Sequence, residues 1–87
     1  MVRHITPDRL DDLEALLARL REVPGLVEKK RGVFYRRSRA FLHFHEDTAG
    51  LFADVRLGTD FDRYRVTTAA EQAALFRLVR SAVIEPG

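Results

Sequence analysis

His43 and His45, two apart in the segment AFLHFHEDTAGLFADVRL, and Asp54 and Arg56, two apart further on, are the residues of this chain best able to do chemistry. On an extended strand alternate side chains share a face, so the HFH triplet sends two imidazoles to one side with backbones about 7 Å apart. Imidazole and carboxylate together suit a transition metal, and an imidazole oriented by a carboxylate is a common general base. A closed or catalytic zinc site needs three or four ligands. The pattern supplies His43, His45 and Asp54, leaves His4 outside, and sets Arg63 in competition for the Asp54 carboxylate, so a metal is an open candidate and no cofactor is expected. Nucleophilic catalysis lacks a partner, since the only serines are Ser38 in a turn and Ser81 on the last helix.

These residues are positioned by a hairpin whose register follows from its own alternation, because a one-residue slip would move every side chain to the other face. With residues 47–50 in the turn, Glu46 pairs with Leu51, Phe44 with Ala53 and Leu42 with Val55, giving an apolar face. The same register pairs His45 with Phe52, His43 with Asp54 and Phe41 with Arg56. A turn at Gly58 and Thr59 then sets Val66 opposite Leu51, Tyr64 opposite Ala53 and Arg63 opposite Asp54. Extending parity back one strand places Val33 and Tyr35 on the covered face and Phe34 and Arg36 on the open one. The expected open face thus carries Phe34, Arg36, Phe41, His43 and His45 from the first two strands. From the next two it carries Phe52, Asp54, Arg56, Phe61, Arg63 and Arg65.

Thr6, Pro7 and Asp8 form a helix start, with a hydroxyl cap, a proline preset for the first turn and a carboxylate near the positive end. Leu10, Leu13, Leu16, Leu17, Leu20 and Val23 recur at helical spacing until Pro24 and Gly25. Residues 26–31 read as a connector with room for a short strand. Residues 33–37, 41–46, 51–57 and 61–66 read as four strands, and their short links require antiparallel neighbours. Thr68 and Glu71 form a capping box for a last helix whose stripe is Gln72, Leu75, Phe76, Val79, Ala82 and Val83 and which Pro86 stops. The expectation is a single domain over residues 1–87, an α+β fold of order α-β-β-β-β-α, with an antiparallel meander and both helices on one face.

The chain has 87 residues, 46% of them hydrophobic and 32% charged, which is the balance of a globular domain with one modest core. It holds no cysteine, which excludes disulfides and thiolate chemistry. No apolar run reaches the length of a leader or a membrane span, and the expected location is cytoplasmic. Thirteen of the fifteen basic residues are arginine, yet the net charge is only +2, too small for a dedicated nucleic-acid binder.

In the segments GVFYRRSRAFLHFHEDTAGLFADVRL and FDRYRVTTAAEQ the chain resembles a group of short uncharacterised bacterial proteins, with FLHFHED and GLFADVRL the specific part. The resemblance implies a small domain and transfers no catalytic residue. The order of helix, meander and helix is also similar to frataxin-like and double-wing domains, a likeness of fold that carries no function. The residues therefore give two functional expectations. The leading one is a non-enzymatic module that binds a protein partner, most simply itself as a homodimer, through the open sheet face bearing Phe34, Phe41, Phe52 and Phe61. The other is a small-molecule or metal-dependent activity centred on His43, His45 and Asp54.

Overall fold

The computed structural model describes residues 3–84, and Pro86, expected to end the last helix, lies outside them. The chain runs β1 (Arg3–His4), α1 (Pro7–Asp11), α2 (Glu14–Arg21), β2 (Leu26–Lys30), β3 (Val33–Arg36), β4 (Arg39–Asp47), β5 (Gly50–Arg56), β6 (Phe61–Arg65) and α3 (Ala69–Ile84). Strands β2 to β6 form an antiparallel meander in sequence order, and β1 pairs with β4. The α+β class and the meander are as expected, with two strands more than the four read from the sequence.

The helix starts follow their caps. Thr6 Oγ1 accepts from Arg9 N at 3.4 Å, and the Thr68 and Glu71 side chains bond reciprocally to each other's amides at 3.1 and 2.9 Å. The expected first helix is two, because the chain leaves helical geometry at Leu13 (φ −106°, ψ 5°). Its apolar stripe survives the break: Leu10, Leu13, Leu16, Leu17, Leu20 and Val23 are all buried. Together with Leu75, Phe76 and Val79 of α3, they form one core with Leu42, Phe44, Leu51, Ala53 and Val55 of the central hairpin.

The β4–β5 and β5–β6 registers are those that the alternation requires, including His45 opposite Phe52, His43 opposite Asp54 and Arg63 opposite Asp54. Gly50 closes the β4–β5 turn with φ +142°, and a Cβ there would collide with the Thr67 hydroxyl, which accepts from Leu51 N at 2.9 Å.

The first hairpin departs from simple parity. Arg36 pairs with Arg39 and Tyr35 with Ala40 across a two-residue turn, but the next pair is Phe34 with Leu42, so β4 carries one extra residue. A bulge of this kind reverses the alternation beyond it. Phe34, expected on the open face, instead sits beside Leu42 in the core at 0% exposure. Phe41, the extra residue, is 3% exposed and also belongs to the core, with the Arg36 guanidinium 5.8 Å from its ring centre.

Candidate functional site

β1 adds a strand that the alternation does not predict, and it changes the composition of the site. Its two residues pair as Arg3 with Glu46 and His4 with His45. The pairing is tied down by Glu46, a carboxylate on the helix side of β4 and only 6% exposed. Glu46 accepts from Thr6 N at 2.8 Å, Thr6 Oγ1 at 3.1 Å and Arg3 Nη2 at 2.9 Å. These bonds, with the Thr6 amide foremost, hold the carboxyl below its ordinary value of 4.5. A two-residue strand has too little alternation to be read from sequence, so His4 had no signal there.

Along the sheet, His4, His45, Phe52 and Arg65 make one row, and His43, Asp54 and Arg63 make the next. The rings of His4 and His45 are 5.7 Å apart centre to centre. Those of His43 and His45 meet edge to face at 4.8 Å, and His43 packs against Phe61 at 4.9 Å. Asp54 is the centre of the group, 8% exposed. Its Oδ2 lies 3.0 Å from His45 Nε2 and 3.4 Å from His43 Nε2. Arg63 donates to both carboxylate oxygens, Nε to Oδ1 at 2.7 Å and Nη2 to Oδ2 at 2.9 Å. The Arg63 bonds keep the Asp54 carboxyl below its ordinary range against the opposing effect of burial.

Burial, and next the neighbouring His45, lower the His43 pKa from 6.5, with Asp54 pulling the other way. The shift favours the neutral imidazole, the form that carries a lone pair. His45 has the opposite difficulty: its Nδ1 is buried and has no hydrogen-bond partner. An unpaired polar atom removed from water is costly and calls for an explanation.

Both β1 and β3 pair with β4, β3 reaching Leu42 and β1 starting at His45. The interval between them opens into a groove of about 600 Å³. Its apolar wall is Ile5, Pro7, Leu10, Val33 and Phe44, and its polar groups are His4, His43, Lys30 and Arg31. His43 thus belongs both to the Asp54 cluster and to the groove.

Of the residues expected on the open face, the structure gathers His43, His45, Asp54, Phe61 and Arg63 into one group. Phe52 and Arg65 flank it as the row partners of His45. Arg56 stands apart, its guanidinium 4.5 Å from the Phe61 ring centre and its Nε donating to Ala40 O. Arg36 lies beside Phe41, and Phe34 is in the core. Comparison with family models, curated proteins and solved structures finds no match for this chain.

Proposed function

We propose that the domain binds a divalent transition metal through His43, His45 and Asp54, and presents it to a small molecule held in the adjoining groove. The observation that carries this reading is the convergence of three donor groups, whose ligand atoms all lie within 4.8 Å of one another. Two donors bound tetrahedrally at about 2.0 to 2.1 Å from one metal stand about 3.3 to 3.4 Å apart. The 3.0 and 3.4 Å separations from Asp54 Oδ2 to the two imidazoles are close to that spacing.

Two imidazoles and one carboxylate suit zinc, iron, cobalt, nickel or manganese and disfavour calcium and magnesium, which prefer oxygen alone. Three protein ligands leave coordination positions free, the arrangement of catalytic rather than structural sites. Because His43 also lines the groove, those positions would adjoin it. Arg63 would keep its Nε bond to Oδ1 and fix the orientation of Asp54, as groups behind metal-bound carboxylates do, while its Nη2 bond to Oδ2 would give way to the metal. Elemental analysis of protein purified without a histidine tag tests the proposal: one equivalent of a transition metal supports it, and none after growth in zinc- and iron-supplemented medium contradicts it.

Self-association through the open face is the second reading, favoured by Phe52 and Phe61, which remain only partly buried there. It rests on fewer rings than the alternation suggested, since Phe34 and Phe41 are buried within the protomer. Sedimentation of the wild type and of Phe52→Arg tests it. A dimer that the substitution dissociates supports this reading, and a monomer throughout the concentration range removes it.

A further inference from the structure

Six of the thirteen arginines, Arg3, Arg9, Arg21, Arg31, Arg63 and Arg65, pair with carboxylates. Of the seven that are in no ion pair among the described residues, three stand on the helices, Arg19 on α2 and Arg77 and Arg80 on α3, with Arg19 and Arg80 against the Phe76 ring. The other four, Arg36, Arg37, Arg39 and Arg56, all line one hollow of about 220 Å³, closed by Leu57 and Gly58. No acidic side chain lines it.

We infer that this hollow, at the tip of the β3–β4 hairpin, is a binding site for the phosphate or pyrophosphate group of a small molecule. Guanidinium is planar and matches phosphate oxygens two at a time, which makes arginine the preferred side chain for that anion. Two of the four are already oriented. Arg56 donates Nε to Ala40 O at 3.0 Å and Nη1 to Thr59 O at 3.4 Å while lying over the Phe61 ring, and Arg36 lies over Phe41. Such fixing reduces the entropy lost when an anion is bound. The hairpin places Arg36 directly opposite Arg39, so two like charges face each other across the ladder, an unfavourable pair that an anion between them relieves. The volume is below the roughly 300 Å³ of a pocket for a whole drug-sized ligand, so the hollow accommodates the charged end and leaves the rest of the molecule outside. Phe41 is buried and offers no ring for a base to stack on, which favours a small phosphorylated compound over single-stranded nucleic acid.

The test is an amide NMR titration of the full chain with inorganic pyrophosphate at physiological salt, repeated with sodium sulfate and with a short thymidine oligonucleotide. Saturable pyrophosphate shifts confined to residues 36–40 and 56–58 are expected, with affinity falling roughly tenfold or more in Arg39→Gln and in Arg37→Gln. Both are exposed side chains, so their loss leaves the fold intact. Any of five results overturns the proposal: no saturable shifts with pyrophosphate, shifts scattered over all the exposed cations, wild-type affinity in both variants, sulfate bound as tightly as pyrophosphate, or tighter binding of the oligonucleotide at the same residues.

Discussion

Arg63 grips Asp54 with two parallel bonds, Nε to Oδ1 at 2.7 Å and Nη2 to Oδ2 at 2.9 Å, across neighbouring strands of the sheet. The carboxylate is largely buried and the arginine largely exposed, so the pair anchors one edge of the histidine cluster from the solvent side. Hydrogen bonds to a charged group are worth more than neutral ones, and leaving such a group short of partners adds its desolvation cost. Arg63→Met should therefore destabilise the fold by about 1 to 2 kcal/mol, moderated by the exposure of the arginine. Urea denaturation checks this, and a change below about 0.3 kcal/mol would show that the two histidines satisfy Asp54 alone.

The buried carboxylate of Glu46 predicts an acid-sensitive contribution. Its folded pKa lies below the ordinary 4.5, so the unfolded chain takes up the proton first as pH falls. The stabilisation is complete above the unfolded value and is lost as pH drops through the folded one. Glu46→Gln should lower stability at pH 7 and flatten the decline between pH 5 and 3. An unchanged slope in that interval, measured by thermal unfolding, would assign the acid sensitivity to other groups.

Arg37 and Ser38 both have positive φ, 54° and 67°, in a two-residue turn. A left-handed residue with a side chain costs roughly 1 kcal/mol, and glycine avoids that cost. Ser38→Gly should raise the unfolding free energy by about 0.5 to 1 kcal/mol. A loss of stability would mean that the hydroxyl makes a bond that the turn depends on.

Phe34 separates the bulged register from simple alternation. As a fully buried core ring it should cost about 3 to 5 kcal/mol when replaced by alanine. Phe61, half-buried on the open face, should cost about 1 kcal/mol. Similar costs for the two would place Phe34 outside the core.

The legible and illegible parts of this chain differ in how much pattern each contains. Around β4 and β5, long alternating strands with opposite characters on their two faces leave only one workable register, and His43, Asp54 and Arg63 fall together as the alternation requires. Capping residues are similarly local, and Thr6, Thr68 and Glu71 act where they stand. Phe34 lies on the opposite face from that expected because one extra residue in β4 reverses parity, and strict alternation has no place for the bulge. His4 carries no local signal because β1 depends on a long-range partner, Glu46, rather than on its own composition. The helix break at Leu13 hides behind an apolar stripe that continues through it. The groove, which exists only because β1 and β3 share β4, was invisible for the same reason as β1.

The proposed function stands or falls on whether His43, His45 and Asp54 hold one metal ion. Calorimetric titration of the tag-free chain, stripped with a chelator, with zinc chloride at pH 7.5 tests it most directly. One site per chain with micromolar or tighter affinity is expected, weakened at least tenfold in His43→Ala and in His45→Ala but unchanged in Arg39→Gln. Equal zinc binding by the wild type and both histidine variants, or no saturable heat in the wild type, would contradict it.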